Sequence, residues 1–350
     1  MLEITWLESI WFVLWGLLWV IYFILDGFDL GLGALMPALA KSDQDKRIIY
    51  NAMGPFWDGN EVWLITAGGV TFAAFPGTYA VMFSSLYSAL MLLLFALILR
   101  GVSFELRGKV ESPAWKSVWD VCLFIGSFLP ALLLGVAFAN IFAGIPIDAE
   151  GVYQGTLFTL LNPYGLAGGL LFLVMFCVHG AIWLVLKSGG DIGHEMHDKA
   201  KGLAGKLWYA QAVLAVVFLV ASAFATDLYS NYLGAPILFL IPLVAVAALF
   251  GIKIMISKEA WGKAWISSAA FIGSAALFGV VGLYPRLLPS SLDPAASMTI
   301  ANSASSPLTL KIMLGVSLIM VPVVIIYQAW VYKKFGHKIH AEDLAYDEAY

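Results

Sequence analysis

Residues 8–30 read ESIWFVLWGLLWVIYFILDGFDL. Between Glu8 and Asp26 the run carries no charge, and its length matches the roughly 20 helical residues that cross a hydrocarbon core. Eight further runs of this kind follow, at 54–75, 79–100, 118–142, 162–187, 207–226, 235–256, 264–284 and 309–332. The expected fold is therefore all-α, a polytopic membrane protein of nine transmembrane helices. Composition agrees. Hydrophobic residues make up 61% of the 350 and charged residues 12%, against roughly 45–50% and 25% in ordinary globular chains. The 13 Trp and 23 Phe suit membrane interfaces, where aromatic rings collect.

The net charge of −4 leaves no basic surface to hold nucleic acid. Cys122 and Cys177 each lie inside an apolar run, outside any CxxC pair. Both read as small core hydrophobes rather than a disulfide. No Lys or Arg precedes the first run, and that run is long enough to span, so no cleavable signal peptide is expected.

Basic residues set the orientation, because cytoplasmic loops are enriched in them. Lys41, Lys46 and Arg47 follow span 1, and Arg100, Arg107, Lys109 and Lys116 follow span 3. Lys187, Lys199, Lys201 and Lys206 come next on the same side, then Lys253, Lys258 and Lys263, then Lys333, Lys334 and Lys338 in the tail. Only Arg286 and Lys311 fall on the other side. The N-terminus is thus expected outside and the C-terminus inside. The outer loop 285–308, rich in Ser, Pro and Ala, is expected to be irregular. Setting Gly27 against Gly180 also aligns Gly16, Leu17, Leu18 and Phe23 with Gly169, Leu170, Leu171 and Phe176. A shift of two places Gly54 and Trp57 on Gly205 and Trp208. The repeat divides the chain into a four-helix bundle at 1–142, a second at 143–284, the loop 285–308, and a peripheral ninth helix with its tail at 309–350.

An ionisable residue inside a span is costly and marks a functional site, a partner charge or a water-filled cavity. Span 1 ends in LDGFDLGLG (25–33), where Asp26 and Asp29 share a helix face at i, i+3. The apolar stretch continues to Pro37, so these aspartates also fit the inner end of a helix. Span 2 opens GPFWDGNEVW (54–63), with Asp58 and Glu61 on one face and Trp57 and Trp63 flanking them. A carboxylate complementing the helix dipole explains one acid there, but two acids and Asn60 less readily. Span 3 ends at Arg100, a natural partner for a span carboxylate, and Glu105, Arg107 and Lys109 follow. Glu105 and Lys109, at i, i+4, fit either a solvated pair or the lower end of a polar path from the cytoplasm towards Asp58.

His179 is the only histidine in a span. It suits a haem axial ligand, a hydrogen bond to a neighbouring helix, or a contact with another subunit. His194 and His197 have the spacing of a metal pair, but Glu195 and Asp198 around them make a solvated face the better reading. Walker A, CxxCH, Rossmann and HExxH motifs are all missing.

The stretches LDGFDLGLGAL (25–35), GPFWDGNEVWL (54–64) and LRGVSFELRGK (99–109) resemble subunit II of cytochrome bd-type quinol oxidases, including the cyanide-insensitive branch. The resemblance implies a heterodimer with subunit I, often joined by a small single-helix subunit, in a bacterial or archaeal cytoplasmic membrane. Subunit I of that family carries haem b and haem d and the quinol-oxidising loop. The complex oxidises quinol outside and reduces oxygen to water with protons from the cytoplasm, which generates proton-motive force. This chain is then expected to bind no haem or metal of its own, although some members hold a structural quinone in subunit II. Carried over residue by residue, Asp58 is the proton relay, with Lys109 and Glu105 as its cytoplasmic approach; the family also has Asp at the position of Glu105. Asp29, Arg100, Glu61 and Asp26 become polar partners, and Trp57 packs towards the haem-bearing subunit.

A proton- or sodium-coupled secondary transporter is the alternative, since intramembrane acids, glycine-interrupted helices and a repeat suit it equally. Transporters usually place functional polar residues in both repeats. Here the second half offers only His179 and a few hydroxyls and amides, which favours the oxidase subunit.

Overall fold

A computed structural model describes residues 4–345; the outermost parts of the expected units 1–142 and 309–350 lie outside them. The chain is mostly helical, at 80%. Helices α1 (Trp6–Leu25) and α2 (Gly27–Leu39) form one 34-residue apolar segment, started by a capping box in which Thr5 and Glu8 satisfy each other's backbone N–H. After the short α3 (Asp43–Met53) come α4 (Trp57–Ala74), α5 (Pro76–Ser85), α6 (Tyr87–Leu106) and α7 (Pro113–Ala143). The second half holds α8 (Pro163–Lys187), α9 (His194–Ala225), α10 (Tyr229–Gly234), α11 (Leu240–Ser257) and α12 (Trp261–Leu283). Strands β1 (Arg286–Leu288) and β2 (Met298–Thr299), the single turn α13 (Ile300–Ser303), and α14 (Pro307–Lys334) complete it.

Eight segments are long and apolar enough to cross a membrane. Of the nine expected runs, the one missing from these eight is α4, whose opening turns carry Asp58, Asn60 and Glu61 and so depress its hydropathy.

Several boundaries differ from the sequence expectation. The first run does not stop at residue 30: Asp26 keeps a helical backbone (φ −85°, ψ −16°), and the helix runs on to Leu39. Asp26 and Asp29 therefore lie within a continuing helical segment. The expected span 79–100 is broken at Leu86, and α6 carries on past Arg100 to Leu106, so Arg100 sits inside a helix rather than at its end. His194 and His197 form the first turn of α9. The loop 285–308 is not wholly irregular; β1 and β2 pair antiparallel within it.

The helices pack pairwise, and the most extensive contacts include α7 on α8 and α2 on α8 between the two halves of the chain. In the first half, α1 lies on α4 and α6 on α7; in the second, α8 lies on α9 and α11 on α12. The halves also join through α1 against α12. At the centre α2 crosses α8 so closely that a Cβ on Gly31 would stand 1.8 Å from the carbonyl oxygen of Phe176, and one on Gly180 2.5 Å from the amide of Leu32. Only glycine fits at such a crossing. Phe23 and Phe176, equivalent in the repeat, meet there with ring centroids 6.2 Å apart. By contrast α14 lies on the outside of the bundle, with Ile312, Leu318, Ile326 and Trp330 among its exposed residues.

Ion pairs knit the lysine-rich end together. Arg107 reaches Asp120 at 2.6 Å and Asp43 at 2.7 Å, and Lys46 reaches Asp120 at 2.9 Å. Past α14 the tail folds back under α8, whose Lys187 ammonium donates to the carbonyls of Phe335 and His337. Arg47 donates to the carbonyl of Leu344, and Asp191 accepts from the amide of Ala341 at 3.2 Å.

Candidate functional site

The cluster is built from the facing ends of α1, α2 and α4 and from the body of α6. Asp26 comes from the α1–α2 junction, Asp29 from the first turn of α2, Asn60 and Glu61 from the start of α4, and Arg100 from α6. Gly126 of α7 lets α6 approach, since a Cβ there would stand 2.7 Å from the backbone nitrogen of Arg100. The guanidinium lies in the protein interior, 0% exposed. Its Nη1 donates to Asp26 Oδ2 at 3.1 Å, its Nη2 to Asp26 Oδ1, and Nη2 also stands 3.2 Å from Glu61 Oε1. This fork-on-carboxylate geometry is what arginine supplies and lysine does not.

Asp29 belongs to a different set. Its Oδ2 accepts from Asn60 Nδ2 at 2.7 Å, and the same amide nitrogen donates to the Leu25 carbonyl at 3.0 Å. Asn60 Oδ1 accepts from the Tyr332 hydroxyl at 2.9 Å and from Gln328 Nε2 at 3.3 Å, both on α14. Gln328 Oε1 in turn accepts from the Trp63 indole at 2.7 Å. The i, i+3 spacing of Asp26 and Asp29 therefore serves two separate partners.

Asp58 is not in this cluster. It is exposed in the first turn of α4, heading a stripe with Val62, Ile65 and Phe72, also exposed. That is where a carboxylate complements the helix dipole. Glu61, expected to share its face, turns inward to Arg100 instead. Glu105 and Lys109 are also exposed and make no ion pair with each other among the described residues. Trp57 stacks on Phe104 with ring centroids 5.0 Å apart and planes at 5°; its first partner is α6 of this chain.

Sequence reasoning missed three participants. Gln328 and Tyr332 lie at i, i+4 in an otherwise apolar helix, and an amide in such a run was the available signal. Asp120, at the head of the fourth apolar run, is the buried partner of Arg107; Arg107, 13 residues earlier, was its signal. His179 is fully buried, with Nε2 3.1 Å from the carbonyl of Ile24 and its ring stacked on Trp265 at 5.1 Å. This matches the hydrogen bond to a neighbouring helix.

The model of the cytochrome bd terminal oxidase subunit II family matches residues 7–335; the chain belongs to that family. It is 36% identical to a probable cytochrome oxidase subunit 2 of Haemophilus influenzae, covering 97% of each chain. It is 34% identical to the cytochrome bd-I ubiquinol oxidase subunit 2 of Escherichia coli K12 over 98% of each. It is 35% identical to the cytochrome bd ubiquinol oxidase subunit 2 of Bacillus subtilis, covering 97% of this chain and 99% of that one. A chain of the bd oxidase from Geobacillus thermodenitrificans shares the fold, with a TM-score of 0.75 at 16% identity, over 95% of this chain and 99% of that one. The chain is thus a multi-pass inner-membrane protein and a component of a quinol:oxygen oxidoreductase complex. Family membership removes the transporter reading.

Such a complex binds haem, and a haem iron needs axial nitrogen or sulfur ligands. A cavity of about 690 Å³ between α1, α4, α5, α6 and α7 includes Trp15, Thr71, Tyr79 and Phe138 in its lining; it carries no histidine or cysteine, and its sulfur atoms are those of Met82 and Met91. His179 lies outside it, held by Ile24 and Trp265. Among the described residues no group of three His, Cys, Asp or Glu could hold a metal ion.

Proposed function

We propose that this chain acts as the haem-free subunit of a bd-type quinol oxidase, stabilising the haem-bearing subunit I and supplying part of a proton-uptake path from the cytoplasm. The observation that carries the reading is the exposed stripe. Asp58 on α4 is continuous with Val62, Ile65 and Phe72, and Glu105 on α6 with Phe95, Ile98 and Val102, all exposed. A carboxylate on a lipid-facing stripe is costly. Covered by subunit I, the same acids become a line of titratable groups along a subunit seam, with Lys109 at its cytoplasmic end.

The reading includes α4 as a ninth span, with the N-terminus outside. A marginal span with polar first turns is tolerated where those turns are buried in protein. The ion pairs that join α3, α7 and the segment after α6 at one end fit the inside placement of their lysines and arginines. The division into bundles at 1–142 and 143–284, a loop at 285–308 and a peripheral helix at 309–350 follows the packing pairs. A small single-helix subunit and a structural quinone remain features of the resemblance.

Asp58→Asn in the intact complex is expected to slow oxygen reduction by about 10²-fold, the order a positioned proton-transfer group contributes, with haem content unchanged. Oxygen consumption beside a reduced-minus-oxidised spectrum checks it. Full turnover in that variant rejects the path through Asp58.

A further inference from the structure

The buried cluster holds three carboxyl groups, and Arg100 is the one cation within reach of them among the described residues. Asp26 takes both guanidinium nitrogens, and Glu61 stands 3.2 Å from one of them. Asp29 is 0% exposed, receives no cation within 4 Å, and its Oδ1 has no hydrogen-bond partner. An ionised carboxylate left unpaired at membrane depth is strongly disfavoured, whereas a neutral acid at the same place is not.

The direction of every hydrogen bond around Asp29 follows from one group that can only donate. The Trp63 indole N–H donates to Gln328 at 2.7 Å, which fixes the Gln328 carbonyl as acceptor and its nitrogen as donor. That nitrogen donates to the Gly59 carbonyl at 3.0 Å and to Asn60 Oδ1 at 3.3 Å. Asn60 Oδ1 takes a second donor from Tyr332 at 2.9 Å. Its Nδ2 spends both protons, on the Leu25 carbonyl and on Asp29 Oδ2. The Asn60 amide cannot turn over without facing acceptors with acceptors and donors with donors. Oδ2 of Asp29 is therefore the accepting oxygen, and any proton the acid holds lies on Oδ1.

We propose that Asp29 holds a proton as a neutral carboxylic acid, and that Tyr332 of α14, acting through Asn60, is a positioning residue for it. The charged neighbours are Asp26 on its own segment, Glu61 from α4 and Arg100 from α6, and their three formal charges leave no cation for Asp29. This site is distinct from the exposed line through Asp58.

The test is infrared spectroscopy of the intact complex with subunit I, comparing H2O with D2O in the carbonyl region of protonated carboxylic acids, well separated from the carboxylate bands. One exchange-sensitive band is expected to vanish in Asp29→Asn. In Tyr332→Phe the band is expected to persist but shift, because Asn60 loses one of its two donors and its own N–H donates less strongly. The Phe ring keeps the packing of Tyr332 on Phe56, 4.7 Å between centroids, so a merely structural role would leave the band in place. An assembled Asp29→Asn complex that retains every such band overturns the proposal. So does an unmoved band in Tyr332→Phe, which decides the matter alone should Asp29→Asn fail to assemble. The band is read on the resting complex, so its presence or loss is independent of whether protons for turnover pass Asp58.

Discussion

Where the first bundle places Asp26, the second places His179; where the first places Asn60, the second places Gln211. These pairs fall out of the repeat set by Gly27 and Gly180 and by Trp57 and Trp208. Their surroundings differ. Asp26 is locked to a guanidinium and Asn60 uses all four of its hydrogen-bonding positions. His179 binds one backbone carbonyl, and the fully buried amide of Gln211 has no partner for either atom. The second bundle nonetheless closes, through neutral contacts such as Tyr164 with Ser222 at 2.8 Å and Tyr232 with the carbonyl of Phe278 at 2.8 Å. The second half thus packs around neutral contacts, with its buried cation Lys187 at the very end of α8.

The sharpest way to break the contrast is Arg100→Leu. It leaves Asp26 and Glu61 buried beside no cation, a loss of about 3–5 kcal/mol for a broken buried pair. The purified complex should melt far lower or lack haem, while His179→Leu in the second bundle should assemble. Equal tolerance of both would mean that the charges are ornamental.

A smaller test compares the amides. Asn60→Leu strands Asp29, Tyr332 and Gln328, at about 1–3 kcal/mol for each unsatisfied group. Gln211→Leu should leave the complex unchanged or raise its stability by about 1 kcal/mol, since it removes a buried amide that bonds nothing. Thermal melts of the two variants should move in opposite directions. A shared fall would show that the second bundle has polar partners of its own.

The smallest effect is at the surface, where the tail ties the halves together. Asp191 is held below the ordinary carboxylate range, first by the Ala341 backbone N–H and then by His340. A carboxylate so lowered stabilises the fold above its unfolded value and loses that contribution as pH falls through the folded one. The tail should therefore resist limited proteolysis near neutral pH and open on acidification below the carboxylate range. Asp191→Ala should be cleaved readily at either pH.

Much of this architecture was legible because hydropathy acts over whole helices. Eight of the nine runs fall in helices long and apolar enough to cross a membrane, and the exception, α4, is the run whose polar residues also marked the site. The grouping of Asp26, Glu61 and Arg100 could be anticipated, since a buried cation must find acids. What could not be read was direction: Asp58 and Glu61 share a face by spacing, yet one turns to Arg100 and the other outward, because α6 lies on only one side of α4. Gln328 and Tyr332 were hidden for a different reason. Despite them, the 28-residue α14 holds an 18-residue stretch of mean hydropathy 2.4, and only the fold reveals that they lie against Asn60.

The connections of α14 also bear on how the protein is made. Trp63 meets Gln328 across 265 positions of sequence, and Asn60 meets Tyr332 across 272. A ribosome delivers α1, α2 and α4 to the membrane long before α14, so the first bundle waits through most of synthesis with an amide oxygen and an indole lacking their final partners. Docking of the late helix completes them. A chain cut short before α14 would lack the partners that Gln328 and Tyr332 give to Trp63 and Asn60.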